Sequence, residues 1–167
     1  MNKNLLSKKL KKIKLVLLDV DGVLTDGKII YDSEGTEYKN FHAHDGFGIV
    51  RGKRMGMVFG IISGRSSPIV NKRAAKLGIE YVIQDREDKL IAFREFQKKY
   101  KYSDEETAFI GDDEFDIELL KTVGFSASPK NAVKNVRSVV DYISKAEGGN
   151  GAVREIIDMI LKAQKKI

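Results

Sequence analysis

The chain contains no cysteine, so disulfides are excluded and thiolate-held zinc or iron–sulfur centres cannot form. Histidine is almost as scarce: only His42 and His44 occur. A transition-metal site built on them would need further nitrogen or sulfur ligands, so structural or substrate-side roles are expected instead. No apolar run approaches the roughly 18 residues of a membrane span. The stretch from Met1 to Lys14 scatters Leu5, Leu6 and Leu10 among lysines and has no continuous apolar core, so it does not read as a signal peptide. A cytoplasmic protein is the expectation. No internal repeat, low-complexity segment or domain linker interrupts the chain.

What is present is an ordinary globular composition: 167 residues, 42% hydrophobic and 32% charged, enough for one domain with a real core. The net charge of +6 and a pI of about 9.3 favour an anionic partner. Lys8, Lys9, Lys11, Lys12 and Lys14 cluster near one end and Lys162, Lys165 and Lys166 near the other. Neither cluster carries interleaved aromatics on which bases could stack, so no nucleic-acid partner is expected and a solvated face is. No membrane partner is expected either.

The run Leu15-Val16-Leu17-Leu18-Asp19-Val20-Asp21-Gly22 reads as a buried apolar strand with two carboxylates at its exposed end. Lys28 to Tyr31 and Glu37 to Phe41 flank the turn-like Asp32-Ser33-Glu34-Gly35 and suggest a hairpin over about 28–41. Alternation follows. Met57 to Ile62, Tyr81 to Ile83, Thr107 to Ile110, Phe125 to Ala127 and Val139 to Ile143 read as strands. Pro68 to Leu77, Asp88 to Tyr100, Glu114 to Val123 and Gly151 to Gln164 read as helices, with a further short helix near Lys3 to Lys12. This pattern predicts an α/β fold: a doubly wound, mainly parallel sheet, Rossmann-like, with one projecting hairpin.

In such sheets, ligands bind beyond the carboxyl ends of the strands. Four successive junctions carry chemistry there: Asp19 and Asp21 end the first strand, Ser63-Gly64-Arg65 follows the second, Lys89 opens the helix after the third, and Asp112-Asp113 follows the next. A buried strand needs no acids for packing, and two close carboxylates repel unless a cation or a shared proton relieves them. With Val20 turned away, Asp19 and Asp21 are expected on one side, while Gly22 permits a sharp turn. Each piece alone has an ordinary explanation: a surface turn, a helix cap at Ser63, an exposed helix lysine, an acidic helix start. Their coincidence points to one site holding magnesium and a phosphate, since hard Mg²⁺ takes oxygen ligands while lysine and hydroxyl orient the phosphate oxygens. Asp19 is then the nucleophile that becomes an aspartyl phosphate. Asp21 is the acid for the leaving oxygen and later the base for water.

These residues resemble the haloacid dehalogenase superfamily. Asp19-Val20-Asp21-Gly22-Val23-Leu24-Thr25 matches its first motif, Ser63 its second, Lys89 its third, and Gly111-Asp112-Asp113 with Asp116 its fourth. The resemblance narrows towards the branch of sugar-acid phosphate phosphatases, through Asp26-Gly27, Asp45-Gly46, Gly48-Ile49, Ile62-Ser63-Gly64-Arg65 and Gly148-Gly149-Asn150-Gly151-Ala152-Val153-Arg154-Glu155. It implies magnesium held by Asp19, Asp112 and the backbone carbonyl of Asp21, phosphate held by Ser63, Gly64 and Lys89, and supporting roles for Asp113 and Asp116. It also implies a single domain over 1–167 without a cap and a homotetramer built through the hairpin, in which a neighbouring subunit covers the site and a Gly-rich tail over about 146–167 reaches its entrance. The implied substrate is 3-deoxy-D-manno-octulosonate 8-phosphate, in lipopolysaccharide precursor synthesis, with His44, Asp45, Arg65 and Arg154 as substrate-binding candidates. His44 departs from the arginine usual at its place. A nine-carbon keto-sugar-acid 9-phosphate is the alternative substrate. A phospho-accepting regulatory domain or a catalytically silent interaction domain is the alternative of another class, the former needing its aspartate after a middle strand, where Ser63 stands.

Overall fold

A computed structural model describes residues 3–167; Met1 and Asn2, the start of the stretch expected not to be a signal peptide, lie outside them. The chain runs through α1 (Lys3–Lys12), β1 (Leu15–Leu18), β2 (Ile30–Tyr31), β3 (Glu37–Tyr38), α2 (Ala43–Arg54), β4 (Val58–Ile62), α3 (Pro68–Leu77) and β5 (Tyr81–Ile83). It continues through α4 (Lys89–Tyr100), β6 (Thr107–Ile110), α5 (Ile117–Thr122), β7 (Phe125–Ser128), α6 (Lys134–Arg137), β8 (Tyr142–Ile143) and α7 (Ala152–Ala163). Six strands make one sheet in the order β5-β4-β1-β6-β7-β8, and every pairing in it is parallel. The doubly wound expectation therefore holds. β1 is central, and the strand order reverses beside it, where an open α/β sheet forms its binding crevice.

Alternation along the central strands divides the core into two layers. Val16 and Leu18 of β1 pack with Ala108 and Ile110 of β6 and with Ile156, Ile157, Ile160 and Leu161 of α7. Leu15 and Leu17, pointing the other way, pack with Phe109 and with Phe93 and Phe96 of α4. Burial on both faces is why these strands read as unbroken apolar runs. α3 starts with Pro68 in its first turn and stops at Gly78, whose left-handed φ of 66° ends a helix at little steric cost.

Among the boundaries that differ from expectation, two have a visible cause. The helix expected from Glu114 opens as a 3₁₀ turn, Glu114–Asp116, because the Asp116 side chain folds back to accept the Asp112 and Asp113 N–H groups. The strand expected from Val139 starts only at Tyr142, since the Val139 N–H still closes a turn onto the Val136 carbonyl. α6 was not foreseen; its four residues show too little periodicity to read.

The segment 148–151 is packed backbone to backbone on the loop that follows β1. The Gly149 N–H donates to the Val23 carbonyl (3.0 Å), and a methyl group at Gly148 would fall 1.7 Å from the Gly22 carbonyl oxygen. These glycines allow close approach within the chain. Gly148→Ala is expected to cost about 3 kcal/mol or more, because the obstructing atom is backbone and cannot swing aside. Urea unfolding would measure it, and an unchanged midpoint would show that the loop yields.

Candidate active site

The sheet carries Asp19 one residue past β1: its N–H donates to the Ile110 carbonyl (3.0 Å). The chain then turns on itself, with the Val20 carbonyl accepting N–H groups from Val23, Leu24 and Thr25. Asp21 and Gly22 sit at the apex. Gly22 has φ +89°, and a methyl group there would lie 2.0 Å from Asp112 Oδ2, so both conformation and space require glycine.

α4 brings Lys89 to the same point. Its ammonium is 2.5 Å from Asp116 Oδ1 and 2.8 Å from Asp19 Oδ1, and the residue is only 4% exposed. The other oxygen of Asp116 holds the loop after β6, accepting from Asp112 N (2.8 Å) and Asp113 N (3.2 Å). Ser63 follows β4, buried, with its N–H on the Ile83 carbonyl and its hydroxyl accepting from Arg65 N. Asp19, Asp21, Ser63, Gly64, Arg65, Lys89, Asp112, Asp113 and Asp116 all line one cavity, joined by Glu87 and Phe115.

The electrostatics of that cavity call for a cation. Oxygens of Asp19, Asp112 and Asp116 come within 4.8 Å of one another. Burial pushes the Asp112 carboxyl up to about 8, and the charges of Asp19 and Asp116 add to the shift. Burial likewise pushes Asp19 up to about 6 against the pull of Lys89. For Lys89, burial opposes the charge, but Asp19 and Asp116 outweigh it and hold the ammonium above its ordinary value. Asp112 Oδ1 is buried with no hydrogen-bond partner, an unusual cost for a polar atom that a bound metal would remove. The residues therefore fit magnesium. Asp116 is already committed to Lys89 and the loop, so Asp19 and Asp112 are the side chains that would hold it.

A pH dependence follows. Asp112 is raised from an unfolded value near 4, so its contribution to stability is complete below about pH 4 and is lost as pH rises through about 8. The metal-free protein should therefore lose stability between about pH 4 and pH 8, and magnesium should restore more of it at the upper end, where fewer protons compete. Thermal unfolding with magnesium or chelator tests this. A magnesium stabilisation equal at both ends would oppose it.

Three candidates lie away from this cavity's lining. Asp45, in α2, is 1% exposed and caps α7, accepting from Gly151 N (3.1 Å) and Arg154 N (2.7 Å). Both its oxygens accept backbone N–H groups, the part of a helix cap. The Arg154 side chain pairs with Asp158 (2.9 Å) and lies over the Phe47 ring, while His44 packs edge-on against His42. Sequence reasoning missed Lys39. This hairpin lysine has a side chain only 2% exposed, and its ammonium reaches Asp21 Oδ1 at 2.5 Å. A signal existed, because Glu37 and Lys39 are two apart and so share one face of an extended strand.

A family model for haloacid dehalogenase-like hydrolases matches residues 78–156. Relatives extend the match over the first motif as well: the 3-deoxy-D-manno-octulosonate 8-phosphate phosphatase KdsC of Haemophilus influenzae is 40% identical over 161 residues, covering 96% of this chain and 89% of that protein. The chain belongs to the haloacid dehalogenase-like hydrolases. Within that family it is similar to the phosphatase KdsC of Escherichia coli K12, at 39% identity over 95% of this chain and 85% of that one. A 3-deoxy-D-manno-octulosonate 8-phosphate phosphatase from Moraxella catarrhalis, solved with magnesium ion, phosphate ion and KDO, superimposes with a TM-score of 0.97 at 46% identity, over 99% of this chain and 95% of that one. The cobalt-bound Haemophilus influenzae phosphatase gives a TM-score of 0.91 at 41% identity, over 95% and 92%.

Proposed function

We infer that the chain is a magnesium-dependent phosphomonoester hydrolase acting on 3-deoxy-D-manno-octulosonate 8-phosphate, releasing the free sugar acid and phosphate. The observation that carries this is Asp19 fixed by Lys89 beside an unsatisfied Asp112, at the mouth of a parallel sheet. The substrate rests on the relatives, whose names specify it.

In the proposed reaction an Asp19 carboxylate oxygen attacks phosphorus as the bond to the sugar oxygen breaks, and Asp21 gives that oxygen a proton. Asp21 then takes a proton from the water that attacks the aspartyl phosphate, and the P–O bond to Asp19 breaks. Lys89 keeps Asp19 oriented. The Ser63 hydroxyl, with Gly64 and Lys89, meets the phosphate oxygens. Magnesium, when bound, neutralises charge between the phosphate dianion and Asp19.

Arg65, lining the same cavity, offers the acid group of the sugar a two-pronged guanidinium. His44 and Arg154 belong to this reading only as residues presented to a neighbouring subunit's site. The hairpin supports such assembly: Ile29, Ile30, Tyr31 and Tyr38 are 41% to 55% exposed, an apolar surface suited to a homotetramer contact. A cytoplasmic location belongs to the same proposal; no helix among the described residues is long and apolar enough to cross a membrane. Turnover on the eight-carbon and nine-carbon keto-sugar-acid phosphates, with magnesium added, tests the substrate. Preference for the first by about tenfold or more in kcat/KM is expected, a margin of about 1.4 kcal/mol; preference for the nine-carbon acid would reassign it.

A further inference from the structure

Asp21 does not face solvent alone. Its Oδ1 takes the Lys39 ammonium at 2.5 Å and lies 3.5 Å from the Thr25 hydroxyl, while Oδ2 is 3.8 Å from Arg65 Nε. Lys39 is held from behind by Glu37 Oε1 at 3.3 Å. Glu37 is anchored in turn: its other oxygen accepts the Ser67 hydroxyl at 2.6 Å, on the loop that leads into α3. Glu37 and Lys39 both come from the second arm of the hairpin, on either side of the exposed Tyr38. A lysine ordinarily keeps its ammonium in water, because burying a charge is costly unless it is paired. Here the side chain is 2% exposed and is paired twice.

We propose that Lys39 is a positioning residue for Asp21: it fixes Oδ1, so that Oδ2 is the oxygen that hands a proton to the leaving alkoxide and later takes one from water. The hairpin then has a task inside its own subunit. It supplies the clamp on the acid–base group, with Glu37 setting the clamp and Thr25 supporting it. A carboxylate free to rotate would present either oxygen to the ester, and misplacement by about 1 Å can cost about 10²-fold in rate. The inference rests on the phosphatase reading, and on Asp21 as its acid and base.

The leaving group separates this role from others. kcat/KM reports steps up to cleavage of the ester bond, where an alkyl phosphate needs a proton donor and 4-nitrophenyl phosphate, with its stable phenolate, does not. For Lys39→Met the ratio of kcat/KM on the sugar-acid phosphate to that on 4-nitrophenyl phosphate should fall about 10- to 100-fold, a part of the roughly 10²- to 10⁴-fold that general acid–base assistance supplies. Lys39→Arg should recover most of the ratio. In an Asp21→Asn background, Lys39→Met should have little further effect on it, as expected of two residues acting as one unit. Should Lys39→Met fail to fold, Lys39→Gln is read in the same way. An equal fall on both substrates, or full additivity with Asp21→Asn, overturns the proposal and makes Lys39 a phosphate contact or a structural residue. Absence of hydrolysis by the unaltered protein, with magnesium present, would instead remove the phosphatase reading.

Discussion

Asp19→Asn is expected to abolish turnover, by at least about 10⁴-fold, as removal of a nucleophile does when the rest of the site stays in place. The amide is the same size as the carboxylate and keeps the backbone bond to Ile110, so folding should survive. It also removes one of the charges that raise the Asp112 carboxyl. The metal-free variant should therefore be no less stable than the parent near neutral pH, while binding magnesium more weakly. Phosphate release with added magnesium, together with thermal unfolding, measures both. Hydrolysis within about tenfold of the parent would take the nucleophile away from Asp19, because it leaves only a loss of about 1.4 kcal/mol in the barrier.

The second large effect is on stability. Lys89 is the buried cation shared by Asp19 and Asp116, and Lys89→Met leaves their carboxylates facing a thioether with Asp112 close by. Breaking a buried pair by removing one partner typically costs about 3–5 kcal/mol, since the remaining charge is left uncompensated. Asp116 also holds the loop carrying Asp112, so activity should fall with stability. The penalty should shrink as pH falls and the stranded carboxyls take up protons. Urea unfolding across pH would show it. A loss below about 1 kcal/mol would mean that these acids are already neutral or hydrated in the parent, as at an exposed pair.

Much of the fold was legible because the strands are buried on both faces and the helices are bounded by residues such as Pro68 and Gly78. The acids after β1 and β6, with Ser63 and Lys89, were legible because each lies in a junction between a strand and the following helix, and topology gathers those junctions around one crevice. Contacts between distant loops carry no such mark. Asp45 looks like a site residue beside Gly46, yet its partners are backbone N–H groups about a hundred positions away, at Gly151 and Arg154. Lys39 looks like a solvated edge residue until the hairpin folds over Asp21. Both were obscured for one reason: a charged side chain announces a need for a partner without naming it.

The contact between Gly149 and Val23 has a bearing on how the molecule is made. During synthesis the nucleophile's turn emerges early, but the amide that braces it arrives some 126 residues later in the sequence. Pairings so distant along the chain close slowly and late. A nascent chain on the ribosome therefore carries the acidic turn without this support until residues 148–151 have been made and have docked.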